Sequence, residues 1–303
     1  MTRRASIRFA SNVASTLVPF AFLLASAGCD DALTRVDLVA NLRVLGARVE
    51  VEGEPGRASP APGEAAAVRW LAADRHPEPE LGWAFAVCAA APSGSSLPAC
   101  AGEPFATATA DVPVIGEPRV EFVVPEDVES EALAVFGVVC PGSEPLFDGE
   151  EFDCRGPGGR LVSLDFLLEG AEVTNGNPVL APDALKLDEM SLPEGLDCAA
   201  LPTVSRSSSH TLELVLAESD REELAQESSV DPPREELQVS HFTTAGSLER
   251  AFTVFEPDDT SLVARVTWRA PSEVPLDGFA RLFFVVRDLR GGSDWIERAV
   301  CIE

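Results

Sequence analysis

Side chains that could act as nucleophile and base are few in this sequence. The only histidines are His76, His210 and His241, which are far apart along the chain. Three serines at 207–209 directly precede His210. A serine beside a histidine could support acyl transfer, with the imidazole taking the hydroxyl proton. Adjacent residues of a strand or loop generally do not meet in the required geometry, and the sequence lacks a Gly-x-Ser-x-Gly turn. We therefore predict a polar loop at 205–210.

Other catalytic and cofactor signatures are also missing from the sequence. It contains no His-Glu-x-x-His, no phosphate-binding loop and no dinucleotide-binding glycine pattern. We therefore predict a protein that is not an enzyme, with no catalytic residues and no cofactor.

Acidic residues cluster in two turn-like stretches. Calcium prefers hard oxygen ligands, which clustered loop carboxylates can supply. Neither stretch follows the EF-hand spacing, and acidic side chains at turns are commonly solvated, so the prediction is no metal. The weak calcium candidates are Asp148, Glu150 and Asp153 in the first stretch, and Asp258 and Asp259 in the second.

The chain has seven cysteines, and none of their spacings matches Cys-x-x-Cys, which disfavours zinc and redox sites. Six can form disulfides in an exported protein, which leaves one to be explained. An immunoglobulin-like alternative pairs Cys88 with Cys140 across two sheets. Spacing instead favours Cys88 with Cys100, Cys140 with Cys154, and Cys198 with Cys301; the seventh is Cys29.

The N-terminal segment has the order of a secretory signal. Three arginines precede an apolar stretch over about 13–24, small residues fill 25–28, and Cys29 follows directly. This arrangement resembles the lipobox of bacterial lipoproteins, which implies a diacylglyceryl group on the Cys29 thiol and acylation, for example by palmitate, of the new N-terminus. Ser26 stands where that family usually has leucine. Ordinary signal cleavage after Ala27 is the competing interpretation.

Lipidation of Cys29 would leave six cysteines that can all pair in an oxidising compartment. An uncleaved membrane helix is a further alternative, although polar residues and Pro19 interrupt the apolar stretch. The formal charge of −27 repels phosphate backbones and anionic lipid heads. We therefore predict no nucleic-acid partner, and a cell-envelope protein held by lipid at the outer membrane or the periplasmic face of a membrane.

The elements predicted to carry these residues are short β-strands, because apolar runs alternate and are separated by Pro, Gly, Asp and Ser clusters. Alternation over 262–269 places Trp268 on a buried face. Over 45–52 the same alternation places Leu45 on one face with Ala47 and Val49.

The predicted strands fall into two sets of seven. Segment 119–139 is similar to 265–286, with Val120 aligned on Val266, and the same offset aligns Val68 with Leu214. A duplicated module explains this pattern, and chance similarity between alternating segments is the alternative. Seven strands per copy suit an immunoglobulin-like sandwich. The predicted strands are 38–51, 64–73, 82–88, 104–109, 118–124, 131–140 and 160–168, then 184–191, 209–217, 236–243, 248–255, 260–269, 279–288 and 294–302.

The second set also resembles a known kind of repeat. Residues 267–271, Asp288 and the glycines at 291–292 are similar to the ends of immunoglobulin-like and PKD-like repeats of bacterial surface proteins. The whole chain resembles lipoproteins of myxobacterial type, which implies a fold and a location but no agreed activity. The predicted all-β organisation is a signal peptide at 1–28, a tether at 29–36, an immunoglobulin-like β-sandwich at 37–176 with an inserted loop at 141–158, and a second sandwich at 180–303.

These observations predict a non-enzymatic, lipid-anchored envelope protein that acts as a structural, spacer or adhesion module. Its partners would be the membrane and another envelope protein or a glycan. The alternative function is recognition of a carbohydrate or peptide through the loop ends of the sandwiches, with Trp83 or Trp295 as an exposed aromatic. Packing inside the fold is the competing interpretation of both tryptophans.

Overall fold

The structure is a computed structural model that describes residues 35–91, 100–149, 151–170, 175–223 and 234–303. The predicted signal peptide, Cys29 and most of the tether lie outside these residues. The described chain is all-β, with one 3₁₀ turn at Glu218–Asp220. None of its helical residues forms a segment long and apolar enough to cross a membrane.

The first half of the chain forms a β-sandwich. Sheet order is β1-β2-β5 on one side and β4-β3-β6-β9 on the other, and a hairpin of β7 and β8 is added to it. Side chains from both sheets share one apolar core, in which Trp70 stacks on Phe85 with ring centroids 5.7 Å apart. The strands are β1 (Arg43–Val51), β2 (Ala65–Ala73), β3 (Glu80–Ala89), β4 (Ala106–Ile115), β5 (Arg119–Val123), β6 (Ala132–Pro141), β7 (Pro145–Phe147), β8 (Phe152–Cys154) and β9 (Arg160–Leu167).

The second half repeats this architecture. Its sheet orders are β11-β10-β13-β17-β15 and β12-β19-β18-β14-β16. Without the short strands β11, β12 and β15, both orders match those of the first sandwich. The strands are β10 (Leu185–Leu187), β11 (Met190–Ser191), β12 (Thr203–Val204), β13 (Ser209–Val215), β14 (Leu237–Thr243), β15 (Ser247–Leu248), β16 (Phe252–Phe255), β17 (Val263–Arg269), β18 (Phe279–Arg287) and β19 (Ser293–Ile302).

The offset found in the sequence aligns strands that occupy equivalent places. Val68 on β2 pairs with Val120 on β5. In the second sandwich Val266 on β17 pairs with Leu212 on β13, whereas the offset would place it opposite Leu214. A slip of two residues keeps every side chain on its own face, because side chains alternate with a period of two.

Two face predictions have different outcomes. Trp268 is fully buried, as alternation predicted. The prediction for Leu45 was wrong, because the β1–β2 register shifts between Val44 and Gly46. This irregularity re-aims the strand, so that Val49 reaches the first core and Leu45 packs outside it.

The cysteine spacing predicted the three disulfides correctly. Cα separations are 5.6–5.7 Å, and the alternative of Cys88 with Cys140 was wrong. The second bond ties the β7–β8 hairpin to β6, and the third joins the segment before β12 to the last strand. The pairs are Cys88–Cys100, Cys140–Cys154 and Cys198–Cys301.

The predicted loop at 141–158 contains the hairpin that the sequence patterns did not reveal. Phe147 and Phe152 stack face to face on it, with ring centroids 4.3 Å apart. They pack against Ala84 and Val138, which lie on the outer face of the β4-β3-β6-β9 sheet. The insertion therefore covers apolar surface.

Candidate functional site

The two sandwiches meet along a contact that we call the seam, formed by β1 and β2 with β14, β18 and β19. Its centre is an apolar cluster that includes Leu45 and Leu71 from the first sandwich and Phe283 and Val285 from the second. The outer faces of these strands are therefore buried as well as the inner faces. Residues Arg35–Glu303 form one compact unit as a result.

Polar groups flank the apolar cluster and orient the two sandwiches. Arg48 Nη1 donates to Asp294 Oδ1 at 2.6 Å. The Ser293 hydroxyl donates to the Ala47 carbonyl, and the Arg287 guanidinium donates to the Leu45 carbonyl. Burial lowers the pKa of Arg287. These directional bonds fix the register between the halves as well as their contact.

The segment that connects the sandwiches is held by both of them. The buried Asn177 donates from Nδ2 to the Val49 carbonyl at 2.7 Å, and its Oδ1 accepts from the Ser293 amide at 3.0 Å. Asp294 Oδ2 accepts from the Leu180 amide at 2.8 Å. The described part of the connection, from Asn175 onward, is thus fixed by hydrogen bonds to both sandwiches.

A cleft of about 460 Å³ lies at the seam, and we call it the seam cleft. The first sandwich contributes Leu71 and Glu117, and the second contributes Glu194, Trp295 and Arg298. The cleft therefore combines an aromatic ring with carboxylates and a guanidinium group. A concave surface with a few fixed polar groups is the usual form of a small-ligand site.

Charged groups in and beside the seam cleft are held in place by hydrogen bonds. The Arg69 guanidinium lies 5.7 Å from the Trp295 ring centroid, and Arg69 Nε donates to Glu117 at 2.8 Å. Burial opposes a higher pKa for Arg69, but the Glu117 and Glu50 carboxylates raise it. Burial lowers the pKa of Arg298, whose Nε donates to the Leu192 carbonyl at 3.0 Å. One face of the Trp295 ring is therefore already covered by the Arg69 guanidinium.

The two tryptophans singled out from the sequence lie in different environments. Trp83, on β3, is partly buried and packs against the first core. Trp295, on β19, is partly buried at the seam and lines the cleft. The cleft is lined by loop residues such as Glu117 and Glu194 together with Leu71 and Trp295 on strands of the seam.

The acidic candidates do not form a metal site among the described residues. Asp148 accepts from the Glu151 amide at 3.0 Å, and Asp153 accepts from the Cys154 amide at 2.8 Å. Asp259 accepts from the Glu256 amide at 2.8 Å, while Asp258 is exposed beside it. Glu150 lies outside the described residues. In the described ranges no three His, Cys, Asp or Glu side chains are grouped so that they could hold a metal ion.

The structure contradicts the expectation that the serine run and His210 do not meet in a catalytic geometry. Ser208 Oγ lies 2.7 Å from His210 Nε2, and His210 Nδ1 lies 2.6 Å from Asp188 Oδ2. Sequence reasoning missed Asp188, which belongs to the turn between β10 and β11, twenty-two residues before His210. Only the pairing of β10 with β13 brings it to the histidine.

The other two histidines lie elsewhere. His241 is fully buried, its ring centroid lies 4.8 Å from that of Phe284, and burial lowers its pKa to about 4. His76 is exposed and lies 3.5 Å from Asp277. His241 is therefore a neutral core residue at physiological pH.

Comparisons with known proteins add little to this geometry. No protein-family model matches the chain, and no curated protein matches it. Among solved structures, the chain is similar to the native conformation of alpha-2-macroglobulin from E. coli, at 12% identity and a TM-score of 0.23. The match covers 87% of this chain but only 17% of that protein. A likeness at this score supports no functional argument.

Proposed function

We propose that the protein is a non-enzymatic, lipid-anchored component of the cell envelope, whose two fused sandwiches act as one structural, spacer or adhesion module. The seam is the observation that carries this proposal. Leu45, Leu71 and Phe283 are buried there, and separation would expose a contiguous apolar surface to water. Two sandwiches fixed in this way keep a constant length as a spacer and present a constant surface to a partner.

The anchor in this proposal is Cys29. The three disulfides use the other six cysteines, so Cys29 is the cysteine left over. The interval from Cys29 to Val36 can extend at most roughly 25 Å, because an extended chain spans about 3.4 Å per residue. The sandwiches would therefore stay close to the bilayer, and their partners would be the membrane and a neighbouring envelope protein or glycan.

Mass spectrometry of the mature N-terminal peptide, under non-reducing conditions, tests the anchor. We expect a peptide that begins at Cys29 and carries the mass of acyl chains. A Cys29→Ser variant should lose this mass and leave the membrane fraction, with the three disulfides intact. An unacylated N-terminus, or Cys29 in a disulfide, would contradict the proposal.

Limited proteolysis tests the fused body. The connecting segment around Asn177 should resist cleavage in the native protein, because the Asn177 side chain is hydrogen-bonded to both sandwiches and its amide donates to the Gly56 carbonyl at 2.6 Å. Replacing Phe283 by Asp places a charge in the seam, and cleavage near Asn177 should then appear. Replacing the exposed Phe252 by Asp provides a matched control, since 55% of its surface is already accessible. Rapid cleavage near Asn177 in the native protein would show that the halves move independently.

The seam cleft favours a second function, recognition of an envelope carbohydrate. The flat apolar side of a sugar ring can stack on Trp295, while its hydroxyls bond to carboxylates such as Glu117 and Glu194. Binding to purified envelope polysaccharide should weaken at least about tenfold in a Trp295→Ala variant. Trp83→Ala is the control, because Trp83 packs in the first sandwich outside the cleft. Equal binding by both variants would remove this candidate.

A further inference from the structure

We propose that Ser208 is an activated nucleophile that accepts an acyl group from an activated ester or thioester. This proposal goes beyond the structural role above and does not depend on it, since one acylation of one residue needs no turnover. The site would make the envelope protein a target for covalent acyl modification at a chosen serine.

The hydrogen bonds assign a role to each side chain. An ionised Asp188 carboxylate only accepts, so His210 must carry its proton on Nδ1, 2.6 Å away. In the neutral imidazole Nε2 is then an acceptor, and it lies 2.7 Å from Ser208 Oγ. Hydrogen bonds thus connect a serine nucleophile, a histidine base and a carboxylate that orients the base, which is the arrangement that acyl transfer uses.

The carboxylate is held in place independently of the histidine. Asp188 and Glu189 have φ of 47° and 72° and form the two-residue turn between Leu187 and Met190. Asp188 Oδ1 accepts from the Thr211 amide at 2.8 Å, and the Asp188 amide donates to the Thr211 carbonyl at 2.9 Å. Burial raises the pKa of Asp188, but the bonds from His210 and Thr211 lower it overall, so the carboxylate stays ionised.

Strand geometry explains how residues two apart in the sequence can meet. Side chains at i and i+2 of an extended chain point to the same face. Ser208 and His210 continue the row of Leu212 and Leu214 past the end of the core, and the His210 ring lies 6.1 Å from that of Trp268. Directly adjacent residues would point apart.

A second acceptor competes for the serine proton. Ser208 Oγ also lies within hydrogen-bond distance of the Ser205 carbonyl oxygen. The hydroxyl has one proton, which is donated either to that carbonyl or to His210. An imidazole nitrogen is a stronger base than an amide carbonyl oxygen, so the serine proton passes to His210 when Ser208 attacks.

The proposed step balances as follows. Ser208 Oγ attacks the carbonyl carbon of the donor, and the Oγ proton passes to His210 Nε2. The bond from that carbon to the alcohol or thiol leaving group breaks, and the leaving group takes the proton from His210. The products are an ester on Ser208 and a free alcohol or thiol. Asp188, 48% exposed, and the half-buried Ser208 lie at the surface, so the donor can arrive from solvent.

The test uses the purified full chain with two probes, p-nitrophenyl acetate and a fluorophosphonate. We expect peptide mass spectrometry to place one acetyl or phosphonyl group on Ser208, with release of one p-nitrophenol or one fluoride per chain. His210→Gln should slow labelling about 100-fold, the usual contribution of a general base. Asp188→Asn should slow it as well, because the imidazole then loses the carboxylate that orients it.

Two variants provide controls. Ser208→Ala should abolish labelling, whereas Ser209→Ala should label at the original rate, since Ser209 is an exposed residue on the other face of the strand. Far-ultraviolet circular dichroism confirms that each variant is folded. Label spread evenly over residues 205–209, or a labelling rate unchanged by His210→Gln in a folded variant, would overturn the proposal.

Discussion

The strands β6 and β18 occupy the same place in the two sandwiches, yet different parts of the chain cover their outer faces. Both strands are apolar almost throughout, and both are buried on two sides. In the second sandwich, the first sandwich covers Phe283 and Val285 of β18. In the first sandwich, the β7–β8 hairpin covers Val138 of β6 with Phe152.

This difference shows that the same exposed sheet face can be buried in two ways. An apolar outer face must be shielded from water, and in the second copy the neighbouring sandwich shields it. The first copy carries its own cover as an insertion, fastened by Cys140–Cys154. The apolar outer face of the β4-β3-β6-β9 sheet is therefore buried by its own insertion. The corresponding face in the second sandwich is buried only because the first sandwich packs against it.

The disulfides of the two sandwiches should have unequal effects on stability when they are removed. Replacing Cys198 and Cys301 by Ala opens a loop of 103 residues and should cost about 4.7 kcal/mol. Replacing Cys140 and Cys154 by Ala opens a loop of 14 residues and should cost about 3 kcal/mol. Urea unfolding under non-reducing conditions measures both. The reverse order would show that the hairpin, not loop length, dominates.

Truncating one aromatic side chain at the seam and one on the β7–β8 hairpin compares how tightly the two regions are packed. Phe283 is fully buried, so Phe283→Ala should lower the free energy of unfolding by about 4 kcal/mol. Phe152 is partly buried, so Phe152→Ala should cost about 1–2 kcal/mol. Thermal and urea unfolding provide the values. Equal losses would mean that the hairpin is packed as tightly as the seam.

A buried carboxyl near the connecting segment should make stability depend on pH. Burial raises the pKa of Glu235 from 4.5 to about 7, although Arg290 and the Glu222 amide lower it in part. The folded state therefore favours the protonated form, and its stabilisation is full below pH 4.5 and is lost as pH rises through 7. We expect a loss of up to about 3 kcal/mol over this rise in pH.

A Glu235→Gln variant isolates this contribution, because glutamine does not titrate. The difference in unfolding free energy between the variant and the native protein should grow in favour of the variant as the pH rises from mildly acidic to mildly alkaline. Glu223→Gln is the neighbouring control. A constant difference across this range would show that Glu235 ionises normally in the fold.

The smallest expected effect concerns Gly46, where the two sandwiches approach each other closely at the seam. A Cβ at Gly46 would lie 3.0 Å from Val285 Cγ1, which is tighter than ordinary contact. Gly46→Ala should therefore destabilise the protein by about 1 kcal/mol. A Gly102→Ala variant should have little effect, since nothing lies within 4 Å of a Cβ there. A stabilised Gly46→Ala variant would show that the seam can relax.

Some features of the fold could be predicted from the sequence and others could not. Alternation placed Trp268 correctly, but it misplaced Leu45, because a register shift has no signal in residue type. Cysteine spacing gave all three disulfides. The hairpin with Phe147 and Phe152 was missed, since two strands of three residues are too short to show a period.

The candidate sites were harder to predict than the strands. Trp295 could be named from the sequence, but the cleft around it depends on Leu71 and Glu117 of the other sandwich. His210 and the serines were visible, while Asp188 was not, because a turn aspartate has many ordinary uses. Long-range partners of this kind leave no local pattern.

The sequence by itself determined an all-β chain with two similar sets of strands, the inner faces of most of them, and the cysteine pairs. Side-chain alternation and the short loops closed by Cys88–Cys100 and Cys140–Cys154 are local properties, so residue order is sufficient to predict them; Cys198–Cys301 then followed as the remaining pair. Tertiary structure alone decided what covers the outer faces of β6 and β18, and what meets at the seam and beside Ser208. Those contacts join residues that are distant along the chain, and their geometry is fixed by packing of whole sheets.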